Sequence, residues 1–102
     1  MAGIENIYPV DVYERLHSGD QLLVVDVREA SEVAYGKIPG AKHIPLGELA
    51  ARAGELNRDE ETVLVCRSGG RSAAACEYLH SIGFNNIKNM VGGMSGWTWR
   101  TE

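Results

Sequence analysis

The sequence predicts an α/β layer fold built on a mostly parallel sheet, and three observations carry that reading. Two continuous apolar, β-branched runs suit strands buried on both faces. Helical patterns alternate with these runs along the chain, the arrangement that gives right-handed crossovers and parallel strands. With 102 residues and 44% hydrophobic composition, the chain holds one core, so a single domain is expected over residues 1–102. A chain of this size buries roughly 60–70% of its extended surface, enough to do without disulfide or metal staples.

The elements follow in order. Asn6 to Tyr8 is read as a short outer strand, and Pro9 to His17 as a helix with proline in its first turn and Val12 and Leu16 on one face. Ser18, Gly19 and Asp20 end that helix. Gln21 to Val27 (QLLVVDV) is the first buried strand, His43 to Ile44 an outer one, and Thr62 to Cys66 (TVLVC) the second buried strand. Gly70 to Ile82 is the strongest helix, with Ala75, Leu79 and Ile82 on one stripe and Gly83 as its stop. Ile87 to Asn89 adds a last strand. No internal repeat, low-complexity segment or linker interrupts this order.

Composition narrows the function. The formal net charge is −4 and no basic block is present, which argues against a nucleic-acid partner. No run approaches the ~20 apolar residues of a membrane span, and MAGIENIYPV has neither the charged nor the apolar region of an export signal. A soluble, cytoplasmic protein with no membrane partner is expected. Its two cysteines need no structural bridge.

The stretch VLVCRSGGRS, Val63 to Ser72, places a cysteine at a strand end, before a glycine loop and a helix start. Ligands of open α/β sheets bind beyond the carboxyl ends of strands, and a helix N-terminus offers unpaired N–H groups at the positive end of its dipole. Gly69 and Gly70 permit positive φ, so the amides can curl toward one point. Arg67 and Arg71 add positive charge. A cysteine at the base of such a nest ionises more readily than a free thiol, which makes Cys66 a candidate nucleophile. A cysteine ending an apolar strand is ordinarily a small core residue; the arginines, the glycines and the helix start reverse that reading here.

Competing chemistries lack their patterns. Nine residues separate Cys66 from Cys76, with no CxxC or HxxxH spacing, so no metal site is expected. Ser68 and Ser72 lie outside a GxSxG elbow, and RSGGR matches neither the phosphate-binding P-loop nor the dinucleotide fingerprint.

CRSGGRS, Cys66 to Ser72, resembles the active-site loop of the single-domain rhodaneses, a family of thiosulfate sulfurtransferases. DVRE, Asp26 to Glu29, resembles that family's D-x-R-E element, GKIPGAKHIP (Gly36 to Pro45) its G-H-I-P-G-A-x-x-I-P element, and VGGMSGW (Val91 to Trp97) its G-G-x-x-x-W element. The four occur in the family's order across nearly the whole chain. One departure is Lys37, where the family usually has histidine at a scaffold position.

The resemblance implies a three-layer fold with a central five-stranded parallel sheet and helices on both faces. It implies that the Cys66 thiolate takes the outer sulfur of thiosulfate or a similar small-molecule donor, releases sulfite, and passes sulfur from a Cys66 persulfide to cyanide in an assay or to a thiol in the cell. The amides of Arg67, Ser68, Gly69, Gly70, Arg71 and Ser72 would hold the anion, with no metal or organic cofactor. Arg67 is expected to face the entrance, and Arg71 to brace the loop or pair with a carboxylate. Asp26 and Arg28, with Glu29, are expected to form ion pairs that support the loop. Two alternatives remain open: a sulfur-relay or regulatory module accepting sulfur from a partner protein, and a cysteine phosphatase or arsenate reductase. The latter enzymes resemble C-x5-R, whereas Arg71 follows Cys66 in a C-x4-R spacing, a smaller ring suited to sulfur.

Other residues are read as structural. Cys76 lies on or beside the apolar stripe of its helix, His43 at a turn or strand end, His17 in the last turn of its helix, and His80 in solvent. Trp97 is assigned to the core and Trp99 to the surface; two positions apart, they do not share a helix face.

Overall fold

The two apolar runs form the centre of the sheet. In the computed structural model, which describes residues 4–102, the strands are β1 (Glu5–Ile7), β2 (Leu23–Asp26), β3 (Lys42–His43), β4 (Thr62–Val65) and β5 (Ile87–Met90). All pair in parallel, in the order β1-β5-β4-β2-β3. Central β4 is buried throughout, and Val63, Leu64 and Val65 have no exposed surface. Each such side chain contributes on the order of 1.5–3 kcal/mol by leaving water.

Alternation along β4 creates two cores. Leu64 and Cys66 point to one face with Val25, Val27 and Ile87, covered by α3 (Leu49–Arg52) and α4 (Gly70–Ser81). Val63 and Val65 point to the other with Val24 and Met90, beneath Val12 of α1 (Pro9–His17). The layers are therefore helix, sheet and helix, as expected.

The two long helices match the sequence reading closely. α1 has the expected bounds with Pro9 in its first turn, and α4 stops at Ser81, one residue early, before Gly83 at φ +103°. The strand of Gln21 to Val27 contracts to Leu23–Asp26 because its register against β4 runs from Leu23↔Thr62 to Asp26↔Val65. The sequence reading lacks α2 (Ala30–Val33), α3 and three short 3₁₀ turns. A four-residue helix completes barely one turn and leaves no periodic trace.

One aromatic assignment needs revision, while Trp97 packs against the core as expected. Trp99 is half-buried, stacked on Tyr13 at 4.7 Å between centroids, and Trp97 meets it edge-on at 5.1 Å. The tryptophans share a cluster without sharing a helix, because both lie in the irregular segment after the last 3₁₀ turn. Lys37 is held as scaffold: its Nζ donates to the Ala41 carbonyl at 3.0 Å and pairs with Glu102, whose backbone also pairs with that of Lys37.

Candidate active site

Cys66 follows the last residue of β4, and its sulfur lies against the first turn of α4. Three features of the chain fold the loop there. Gly69, the residue that caps α4, has φ +106°, a conformation that side chains disfavour. The segment after β5 then closes over the back of the loop: the Met94 amide donates to the Cys66 carbonyl at 2.8 Å and the Ser95 amide to the Arg67 carbonyl at 2.9 Å. Gly93 permits this approach, since a Cβ there would lie 2.3 Å from the Cys66 carbonyl oxygen, and its φ is +56°.

Cys66 is only 1% exposed, and its sulfur is surrounded by donors. The Gly69 amide donates to Sγ at 3.0 Å, and Ser72 Oγ lies 3.3 Å away. Burial pushes the thiol pKa up, but the Ser72 hydroxyl and the amides of Ser72, Gly69 and Ser68 outweigh it, and the net shift is downward. A thiolate at this point is desolvated yet hydrogen-bonded, the condition for a nucleophile that water does not quench.

The loop's two arginines diverge. Arg71 forms a two-pronged ion pair with Glu32 of α2, at 2.6 and 2.8 Å, so its guanidinium braces the loop against a neighbouring element. The pair holds the Glu32 carboxyl at about 2, helped by the Glu29 amide. Arg67 is exposed and lines a shallow pocket with Arg28, Tyr35, Met94 and Ser95. Arg28 binds Asp26 at 2.8 Å and the Gly36 carbonyl at 2.8 Å, tying the end of β2 to the Gly36 turn. Glu29 does not join that pair; its backbone amide binds Glu32.

The sequence reading missed Asn89, which accepts from Ser72 Oγ at 2.5 Å and donates to the Gly69 carbonyl at 3.3 Å. A polar residue two positions after Ile87 on a core-facing strand was its available signal. Glu32 was also missed, and Gly93, read as part of the VGGMSGW element, was not assigned to the loop, since neither lies near Cys66 in sequence. Cys76 is wholly buried, and burial pushes its thiol up to about 12. The imidazole of His43 contacts the Arg28 carbonyl, and His80 is exposed, as expected. A second pocket, under Tyr13, Trp97 and Trp99, does not have Cys66 in its lining.

Comparison with known proteins finds relatives over nearly the whole chain. The family model described as "Rhodanese-like domain" matches residues 8–99. The Bacillus subtilis protein YrkF is 43% identical over 87% of this chain, and the match spans 48% of YrkF's own length. A sulfurtransferase of Allochromatium vinosum is 38% identical over 82% of this chain and 78% of its own. Among solved structures, a rhodanese-like domain protein from Staphylococcus aureus superposes with a TM-score of 0.91 at 33% identity, covering 97% of each chain.

Proposed function

The chain belongs to the rhodanese-like family, and from that premise we propose that residues 1–102 act as one sulfurtransferase domain with Cys66 as its nucleophile. The observation that carries the reading is the Cys66 sulfur held under the Gly69 amide at 3.0 Å at the mouth of α4. The thiolate attacks the outer sulfur of thiosulfate, the S–S bond of the donor breaks, and its electron pair leaves with sulfite. The product is a Cys66 persulfide carrying one negative charge. Cyanide or a thiolate then takes the outer sulfur and returns Cys66 to thiolate. Every charge balances with no redox partner, metal or organic cofactor. The amides of Ser68, Gly69 and Ser72 stabilise the charge as it moves.

Arg67 draws the anionic donor toward the mouth, with little affinity of its own because its charge is solvated. Arg71 supports the loop through Glu32, and Asp26 with Arg28 supports the mouth. A phosphatase would turn the loop arginine on an oxyanion above the sulfur, a posture the Glu32 pair opposes. The two cysteines are free, which suits a reducing compartment such as the cytoplasm.

Incubation with thiosulfate is expected to add one sulfur atom to Cys66, observed by intact mass and removed by cyanide, and Cys66→Ser should abolish it. An unmodified wild-type protein would overturn the thiosulfate reading. Uptake from polysulfide or a protein persulfide alone would point to the relay role, and Cys66-dependent release of phosphate from an aryl phosphate to the phosphatase.

A further inference from the structure

Ser72 stands between two acceptors and owns one hydroxyl proton. Its Oγ lies 2.5 Å from Asn89 Oδ1 and 3.3 Å from Cys66 Sγ. Asn89 is oriented by its other end, where Nδ2 donates to the Gly69 carbonyl at 3.3 Å, so its oxygen faces the serine. Both residues are buried, Ser72 at 0% and Asn89 at 8% exposure, which leaves little water to take the place of a missing partner.

The proton count differs between the two states of the sulfur. As a thiol, Cys66 donates to Ser72 Oγ, Ser72 donates to Asn89 Oδ1, and each group is satisfied. As a thiolate, Cys66 only accepts. Satisfying it from Ser72 requires the hydroxyl to rotate away from Asn89, whose buried oxygen then loses its donor.

We propose that Asn89 is a positioning residue that acts through Ser72, competing with the sulfur for the serine proton and favouring the states in which Cys66 Sγ carries no charge. One such state is the thiol. Resting on the sulfurtransferase reading above, the other is the persulfide, in which the negative charge lies on the outer sulfur and Sγ is a neutral bridging atom. The Ser72 proton can then return to Asn89. Asn89 thus shifts the balance from free thiolate toward the sulfur-loaded protein, and offsets part of the stabilisation that the loop amides give the thiolate.

Neither substitution in the test below removes or adds a charged group near Cys66. Arg67 and Arg71 come from its own loop and the start of α4, with Arg71 engaged by Glu32 of α2; Asp26 and Arg28 lie at the end of neighbouring β2. On β5, Lys88 alternates to the opposite face and pairs with Glu61.

The experiment follows iodoacetamide alkylation of Cys66 across pH by intact mass, in the wild type and in Asn89→Leu, each with and without Ser72→Ala. Asn89→Leu is expected to move the alkylation midpoint down by about one pH unit, the scale of one hydrogen bond to a charged acceptor. With Ser72→Ala present, the same substitution should produce no shift. A midpoint unchanged or raised by Asn89→Leu overturns the proposal, as does an equal downward shift in the Ser72→Ala background. Asn89→Ala removes the same acceptor without adding volume, and it serves by the same criteria if the leucine variant does not fold. Persulfide occupancy at fixed thiosulfate and sulfite is expected to fall in Asn89→Leu. Absence of persulfide in every variant, the wild type included, would sink the thiosulfate reading while the alkylation result still decides the role of Asn89.

Discussion

Cys66 and Cys76 sit in the same core cluster, with exposures of 1% and 0%, yet their thiols are shifted in opposite directions. Burial raises both. Cys66 escapes that effect because the Ser72 hydroxyl lies against its sulfur and because a strand has ended and a helix begun there, so the amides of Ser72, Gly69 and Ser68 are free to turn toward it. Cys76 lies in the middle of α4, where the surrounding amides are already engaged in the helix ladder. The Ser72 hydroxyl and unspent backbone donors, more than exposure, distinguish the reactive thiol from the inert one.

Alkylation at neutral pH gives the largest contrast. A thiol pushed up to about 12 leaves roughly one part in 10⁵ as thiolate at pH 7. Peptide mapping after iodoacetamide should therefore find the label on Cys66 and essentially none on Cys76, until denaturant equalises them. Comparable labelling of both in the folded protein would break the comparison.

Gly93→Ala should then weaken the contrast from one side. The new methyl would meet the backbone of Cys66 and Arg67 at 2.3 to 2.7 Å, with φ at +56°, so the loop must move. A loss of about 2–4 kcal/mol is expected in urea unfolding. The alkylation midpoint of Cys66 should rise toward that of a free thiol while Cys76 stays unlabelled. An unchanged midpoint would show that the segment after β5 does not shape the loop.

The smallest effect is expected at the brace. Glu32 is held at about 2, below its ordinary value of 4.5, first by the Arg71 guanidinium and then by the Glu29 amide. A depressed carboxyl contributes stability above its unfolded pKa and loses it as pH falls through the folded value. Because the carboxylate side chain is 28% exposed and its partner 36%, the pair is screened. Glu32→Gln should cost at most about 1 kcal/mol at pH 7. The difference between wild type and variant should shrink from pH 4.5 toward pH 2, measured by urea unfolding across pH. A gap that persists at pH 2 would assign the effect to packing instead of charge.

Legibility followed the range of the signal. α1 and α4 were visible because proline, glycine and a repeating apolar stripe lie within one helix length of each other. The position of Cys66 was visible because strand end, glycine pair and helix start are consecutive. α2 and α3 were not, each being too short to show a period. Trp99 was placed on the surface because its stacking partner, Tyr13, belongs to the first helix.

By itself, the sequence determined the alternation of strands and helices, the family resemblance, and a cysteine at the mouth of a helix with two arginines beside it. These are properties of neighbouring residues, and local sterics and hydrogen bonding dictate them. Tertiary structure alone decided the surroundings of the sulfur: Arg71 bound to Glu32, 39 residues earlier; Ser72 bound to Asn89, 17 residues later; and Gly93 closed against Cys66. The reason is the strand order. Only when β5 lies beside β4, and α2 follows β2 on the other side, do a side chain from each reach the loop.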